Sequence, residues 1–309
     1  MSIRSDNRGQ TTVLTLVFMV VLLGMSALVL DLGSWYRSDR ALQQTADAAA
    51  LAGAQALPEN AGTATSLAIE YANKNGGGLT SAGITFSGKI VKNDTITVKM
   101  SRQAPGFFSK VLGIKNVTVG AHAVARSANI SEARYVAPIT VNWKHPMLQC
   151  KPLPCQTTTT IDLQDLHAPG SGNGSGAFGL INLDQNDNGT QSPEILSDWI
   201  LRGFDAYLPL GDYNSVPSTM YNSSQVKDAM TASIGKELLF PVYKVITGPG
   251  GNAVYLIIGW VGFYVTGFSG DGDTGQVTGH FTRRISTGLQ VHSANEAADY
   301  GARAIQLVD

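Results

Sequence analysis

The sequence predicts an α+β fold class: a long N-terminal transmembrane and stalk helix, then a small α+β module and a larger β-rich extracytoplasmic domain. Three observations predict it. A long apolar run without charge lies near the N-terminus, and segments that alternate apolar and polar residues follow it. Only 15% of the residues are charged and 34 are glycine, which is typical of loop-rich exterior domains rather than of helical cytosolic proteins.

The first element is the apolar run. No charged residue occurs between Arg8 and Asp31, and about 20 apolar residues suffice to cross a bilayer. We therefore predict residues 1–10 as a cytoplasmic N-terminus and 11–33 as a transmembrane helix. A buried core helix is one alternative. A cleaved signal peptide is another, but the run exceeds the usual apolar length of about 7–15 residues, and no small-x-small cleavage site follows it closely.

The helix is expected to continue beyond the membrane as a stalk over residues 34–58. No proline interrupts the chain before Pro58, and SDRALQQTADAAALAGAQAL is rich in strong helix formers. Small residues recur on one stripe of this segment and would let another helix approach closely, either from the same domain or from a partner, self-association included. The predicted helix-packing seam consists of Trp35, Leu42, Ala46, Ala49 and Gly53.

Two cysteines, Cys150 and Cys155, flank a Lys-Pro-Leu-Pro turn. The short spacing favours a local disulfide, which requires an oxidising compartment. Two unpaired thiols are one alternative. A zinc site formed with His145 and His167 is the other, although this spacing matches no common zinc motif.

The orientation of the chain depends on this disulfide. Basic residues flank the apolar run on both sides, so the positive-inside count is nearly a tie. A disulfide places the long C-terminal part outside the cytoplasm. We therefore expect a single-pass membrane protein, with its N-terminus inside the cytoplasm and its C-terminal bulk extracytoplasmic.

The N-terminal stretch resembles the TadG-like proteins of tight-adherence (Flp-type) pilus assembly. The matching residues are Arg8-Gly9-Gln10, the apolar run, Asp31-Leu32-Gly33, Tyr36, Leu42-Gln43 and Ala46–Ala52, with a weaker match at Pro105, Phe107, Phe108, Leu112-Gly113 and the strand from Val117 to Ala125. The resemblance implies a location in the bacterial cytoplasmic (inner) membrane. It also implies a lipid bilayer and inner-membrane proteins of a pilus or secretion apparatus as partners.

Two departures from this resemblance limit what it implies. Some TadG-like proteins carry a metal-dependent adhesion domain whose site begins Asp-x-Ser-x-Ser, and that string is missing from this sequence. Related pilin-like proteins are cleaved after a glycine with glutamate five residues later. Here Leu14 stands five residues after Gly9, so we expect no such cleavage.

The small α+β module is predicted over residues 59–130. A helix around residues 67–72 should end at the three glycines 76–78. ITFSGKIV and TITVKM alternate as strands around a turn at residues 92–94, a short helix should span Pro105 to Leu112, and VTVGAHAVA should form the next strand.

The larger domain is predicted over residues 131–309. Ser192 followed by Pro193 marks a helix start, and a second helix is expected at Gln225–Ile234. FPVYKVI, AVYLIIGWVGFYVTGF and QVTGHFTRRI read as strands. The apolar stretch AVYLIIGWVGFYV is too short for a second membrane span, which favours a buried central strand or a bent hairpin.

Few residues indicate chemistry. Asp184, Asn186 and Asn188 resemble the opening of a calcium loop, with an ordinary polar turn as the alternative. The charge is balanced, with 22 basic and 23 acidic residues and no long run, so no nucleic-acid partner is expected. No cofactor beyond that structural calcium is predicted.

We expect a non-enzymatic membrane-anchored component of Flp pilus assembly or surface attachment. A pilin-like filament subunit and a tethered extracytoplasmic carbohydrate-binding or hydrolase module are the alternatives.

Overall fold

A computed structural model describes residues 8–150, 153–163, 179–185, 192–270, 275–286 and 298–308. The chain divides into two compact units. The first contains Met1–Arg126 together with Leu307–Asp309, and the second contains Ser127–Gln306. The whole N-terminal helix belongs to the first unit, together with most of the predicted module at residues 59–130.

The first unit is a helical pair with a three-stranded antiparallel meander. Its elements are α1 (Arg8–Ala54), α2 (Ala61–Lys74), β1 (Ile84–Ser87), β2 (Thr95–Pro105) and β3 (Asn116–Asn129). β2 lies between β1 and β3, and its register with β3 runs from Thr95 opposite Arg126 to Pro105 opposite Asn116. Near the C-terminus, the backbone N–H of Val308 donates to the carbonyl of Val124 at 2.8 Å.

Alanine and glycine let α1 and α2 approach each other closely. Buried residues of α1 face Ala64, Ala68 and Ala72 of α2 and the apolar face of β2, so these elements share one core. From Leu42 onward, the buried α1 residues are Leu42, Thr45, Ala46, Ala49, Ala50, Ala52, Gly53 and Ala54. Such small side chains bury little area each but allow short interhelical distances. The second half of α1 is therefore part of a folded domain and does not form an isolated stalk.

α1 ends at Ala54, four residues before the predicted end at Pro58. The N–H groups of Gln55, Ala56 and Leu57 bond to carbonyls three residues earlier, which tightens the helix end into a turn. Asn60 then caps α2, because its side-chain oxygen accepts the Thr63 N–H at 2.9 Å.

α2 ends where the sequence predicts, at the three consecutive glycines. Gly76, Gly77 and Gly78 all adopt left-handed backbone angles, with φ of 119°, 70° and 95°. A side chain would be strained at each of them. The Arg102 guanidinium of β2 donates to the Gly76 carbonyl at 2.9 Å and fixes this turn against the sheet.

The predicted strand ITFSGKIV is shorter than expected, since β1 ends at Ser87. The residues that follow form a turn around Asp94, whose carboxylate accepts the N–H groups of Lys89, Ile90 and Val91. Burial alone would raise the pKa of Asp94, but these hydrogen bonds and one from the Thr95 hydroxyl lower it below its ordinary value.

The second unit is built around a mixed sheet with helices beside it. Its elements are β4 (Glu132–Ala133), β5 (Val141–Asn142), β6 (Thr159–Asp162), α3 (Pro193–Arg202), β7 (Leu208–Pro209), β8 (Gly211–Asn214), α4 (Ser218–Tyr221), α5 (Ser224–Ala232), β9 (Glu237–Thr247), β10 (Val254–Ser269), β11 (Gln276–Thr282), β12 (Arg284–Ser286) and β13 (Ala302–Leu307). The main sheet has the order β5-β9-β10-β11-β6, and β8 also pairs with β10.

The apolar stretch in the last third of the chain is one central strand. β10 spans 16 residues and pairs antiparallel with β9, β11 and β8. Trp260 and Phe263 on β10 are almost completely buried. Of the two alternatives for this stretch, the buried strand is correct and the hairpin is not.

The first long helix of the second unit begins as its sequence predicts. The Ser192 hydroxyl accepts the Ile195 N–H at 3.3 Å, and Pro193 occupies the first helical position. The helix predicted at Gln225–Ile234 is α5, which starts one residue earlier and ends at Ala232. In the first unit, the helix expected at Pro105–Leu112 is only a 3-10 turn at Ser109–Leu112.

Candidate membrane-anchoring site

The first half of α1 exposes an unbroken apolar surface. Among the described residues, α1 is the one helix that is long and apolar enough to cross a membrane, and its most apolar stretch is not buried within the protein. Two of its hydroxyls bond within the helix: Thr15 donates to the Thr11 carbonyl and Ser26 to the Leu22 carbonyl, both at 2.9 Å. This satisfies the requirement that polar groups in lipid find internal partners.

Asp31 ends this surface and holds a distant loop against the helix. Its carboxylate accepts the N–H of Phe107 at 2.9 Å, that of Phe108 at 3.1 Å and that of Ser109 at 2.5 Å. Asp31 is only 1% exposed. One turn later, the indole N–H of Trp35 donates to the Pro105 carbonyl at 3.2 Å. The segment 106–115, here called the apolar loop, is thus fixed at the end of the apolar run.

The apolar loop carries large exposed hydrophobic side chains. Phe107 is 63% and Val111 is 88% exposed, and Phe108 and Ile114 are each about half exposed. Between this loop and α1 lies a groove of about 560 Å³, almost entirely apolar, with Leu23, Gly24, Ala27 and Leu28 on its helix side. Sequence analysis missed this site. The available signal was the lone acidic residue that ends the run, together with the paired phenylalanines of the loop.

The predicted helix-packing seam lies mostly inside the first unit. Leu42, Ala46, Ala49 and Gly53 are buried, and Trp35 is partly exposed. A Cβ atom at Gly53 would come within 2.5 Å of the Ile96 side chain and 3.2 Å of the Ala68 Cβ. The four buried residues pack against α2 and β2 of their own unit, so they offer no surface to a helix of another protein.

The predicted disulfide is confirmed. Cys150 and Cys155 are bonded, with 5.7 Å between their Cα atoms. This excludes both alternatives that require free thiols, unpaired cysteines and zinc ligation. His145 instead accepts the Met147 N–H through Nδ1 at 3.2 Å, and His167 lies outside the described residues.

The calcium prediction stays a prediction. Asp184 lies in a turn, where its backbone N–H donates to the side-chain oxygen of Asn182 at 3.2 Å. The other two predicted ligands, Asn186 and Asn188, lie outside the described residues. Within the part of the chain that the structure describes, no three His, Cys, Asp or Glu side chains are grouped to hold a metal ion.

A small cleft of about 230 Å³ lies in the second unit between the β5 segment and β6. Its lining includes polar side chains of Asn142, Lys144, His145, Asp162 and Tyr243. The Asn142 amide donates to the Tyr243 hydroxyl at 3.1 Å. Burial lowers the pKa of His145, so the imidazole is predominantly neutral at pH 7. The bonded cysteines, Cys150 and Cys155, follow the lining residues His145 and Pro146 closely in the sequence.

Comparison with known families identifies the N-terminal segment. Residues 9–56 match the family model of the TadE/G-like Flp pilus-assembly domain. No curated protein and no solved structure matches the chain significantly. The match covers most of α1, including its exposed apolar half, Asp31 and the buried seam, and it does not extend over the second unit. The match to the TadE/G-like Flp pilus-assembly model over residues 9–56 agrees with the resemblance of the N-terminal stretch.

Proposed function

We propose that this protein is a non-enzymatic, membrane-anchored component of Flp pilus assembly or surface attachment, which displays the chain beyond the apolar half of α1 outside the cytoplasm. The observation that carries this proposal is the TadE/G-like match over residues 9–56, centred on a helix with an exposed apolar surface. The disulfide supports the orientation, because a Cys150–Cys155 bond persists in an oxidising compartment and not in the cytosol.

The continuity of α1 supports a role as a fixed platform. The helix runs without interruption from its apolar half into the core of the first unit, and its 47 residues correspond to about 70 Å. A folded domain joined to the anchor through one continuous helix is held in a defined orientation at the membrane surface. Such a domain suits docking onto inner-membrane proteins of a pilus or secretion apparatus better than one on a flexible linker does.

Deletion of the gene in its own bacterium tests this role. We expect loss of surface pili and of surface adherence, restored by the full chain but not by a full chain with Leu16→Lys and Val20→Lys, which should abolish membrane anchoring. Leu16→Ile with Val20→Ile is the matched control and should restore pili. Unchanged pilus number and adherence in the deletion strain would refute the proposal.

The pilin-like alternative makes a different prediction about the mature N-terminus. Cleavage after Gly9 would leave Gln10 as the first residue, whereas the proposed anchor keeps residues 1–9. N-terminal sequencing of the protein from the membrane fraction distinguishes them. Recovery of a chain that starts at Gln10 in purified filaments would favour a filament subunit.

A second candidate function, a tethered carbohydrate-binding module, is favoured by the polar cleft of the second unit. Its amide, ammonium, carboxylate and phenol groups could together bind the hydroxyl groups of a sugar. Oligosaccharide binding measured by calorimetry, and its loss in Asn142→Ala but not in Lys92→Ala of the first unit, would support it. Absence of heat change with a broad oligosaccharide panel would remove this candidate.

A further inference from the structure

The apolar loop (106–115) presents its hydrophobic side chains beside the apolar half of α1. The three hydrogen bonds to Asp31 fix the loop at the end of the apolar run. From Asp31 back to Leu23 the helix rises about 12 Å, and Leu23 still lines the groove that Phe108 and Val111 line on the other side. The groove therefore extends alongside the part of the helix that the membrane would surround.

The backbone of the apolar loop is hydrogen-bonded within the loop itself. The N–H of Val111 donates to Phe108, that of Gly113 to Lys110 and that of Ile114 to Ser109, all at 3.0 to 3.1 Å. A hydrogen bond of 3.0 Å from the Gly106 N–H to the Lys115 carbonyl closes the loop at its base. A backbone with internal partners can lie in the lipid interface without the cost of unpaired polar groups.

The charges of this region suit a phospholipid surface. Lys110 and Lys115 are exposed at the loop, whereas the single acidic group, Asp31, is buried and occupied by three N–H donors. An exposed carboxylate would be repelled by anionic headgroups, and this one is not exposed. Exposed lysines between apolar side chains are typical of segments that lie in the membrane interface.

We propose that the apolar loop is a second membrane contact: Phe107, Phe108, Val111 and Ile114 insert into the outer leaflet, and a phospholipid acyl chain fills the groove beside α1. This proposal rests on the membrane anchor proposed above. Lipid is the occupant because the groove is continuous with the lipid-facing surface of α1, and because Lys110 and Lys115 complement phosphate groups. Two contacts, one helix and one loop, fix the first unit at a defined angle to the membrane.

Site-specific fluorescence in vesicles tests this contact. The full chain would carry one environment-sensitive NBD label, at Val111→Cys in the loop, at Leu16→Cys in the helix or at Lys92→Cys in the distant β1–β2 turn. The two native cysteines are bonded and do not react. Val111 and Lys92 are both exposed, so neither label disturbs packing. Each labelled chain is reconstituted into phosphatidylethanolamine–phosphatidylglycerol vesicles that contain acyl-chain nitroxide quenchers.

We expect the label at position 111 to be quenched by shallow nitroxides at least about twofold more than the label at position 92, as an interfacial segment requires. Quenching at position 16 but not at position 111, with position 111 open to aqueous iodide, would overturn the loop contact and leave the anchor intact. Protection of position 111 from both quenchers would show a protein surface there and overturn the lipid assignment. No quenching at position 16 would refute the anchor itself.

Discussion

The Asp31 carboxylate accepts the backbone N–H of Ser109 at 2.5 Å, across 78 positions of the sequence. Together with the bonds from Phe107 and Phe108, it ties the connection between β2 and β3 to the helix at the end of its apolar half. One side chain thus sets the position of the apolar loop relative to the proposed membrane surface.

Asp31→Ala is expected to release the apolar loop. The change leaves three N–H donors without their acceptor, which should lower the free energy of opening the loop by about 1–3 kcal/mol. Each 1.4 kcal/mol should raise the amide exchange rate about tenfold. Hydrogen exchange of the amides of residues 107–109 measures this directly. Asp31→Asn keeps one acceptor oxygen and should lose less. Unchanged exchange in Asp31→Ala would contradict the assigned role.

Gly53→Ala is expected to destabilise the first unit by about 1–3 kcal/mol, because the added methyl group must displace Ile96 or separate α1 from α2. Gly33→Ala is the matched control: no atom lies within 4 Å of the added carbon, and alanine favours helix by about 1 kcal/mol. Denaturant unfolding in detergent compares the two variants. Equal stability of both would mean that the seam is not packed as described.

Asp94 predicts an acid-sensitive contribution to stability. Its folded-state pKa is lowered below the ordinary 3.8, so its contribution is complete above that value and is lost as the pH falls through the folded-state pKa. Asp94→Asn should cost about 1–3 kcal/mol at pH 7, because the charged acceptor of three N–H groups is weakened. The difference from the wild type should shrink below about pH 4. A difference that stays constant from pH 7 to pH 3 would contradict this.

Reduction of the disulfide is expected to lower the stability of the second unit. Closing the short loop between Cys150 and Cys155 should contribute about 2 kcal/mol by restricting the unfolded chain. A reducing agent should therefore lower the Tm of the wild type and leave the Tm of the Cys150→Ser, Cys155→Ser double variant unchanged. An equal drop in both would assign the effect to something other than this bond.

Calcium binding at Asp184, Asn186 and Asn188 is tested by the melting temperature. If the loop holds calcium, excess calcium should raise the Tm relative to a chelator, and Asp184→Ala should abolish the difference. An unchanged Tm in the wild type would rule out a structural calcium ion and leave the polar-turn interpretation.

Sequence reasoning succeeded where local pattern decides the structure. The apolar run, the Ser192–Pro193 helix start and the apolar stretch of β10 each carry their signal within a few residues. The strand predicted at β1 is too long, because the buried Asp94 carboxylate holds the residues that follow Ser87 in a turn.

Sequence reasoning could not find contacts between distant segments. The small residues of the helix-packing seam indicate that a neighbouring element packs closely against α1. The spacing and size of these residues would be the same whether that neighbour is a partner's helix or α2 of the same chain. Only the fold identifies Ala64 and Ala68 as neighbours of Gly53. No sequence pattern pairs Asp31 with the apolar loop, since the partners of its carboxylate are backbone N–H groups that every sequence supplies.

The central claim is that α1 crosses the membrane with the bulk of the chain outside the cytoplasm. A membrane-impermeant maleimide applied to spheroplasts tests it most directly, with single cysteines added at Lys92 in the first unit and at Ser5 before the apolar run. We predict labelling of Lys92→Cys in intact spheroplasts and of Ser5→Cys only after lysis, with the protein retained in the membrane pellet at alkaline pH. Labelling of Ser5→Cys in intact spheroplasts, or release of the protein into the soluble fraction, would contradict the account.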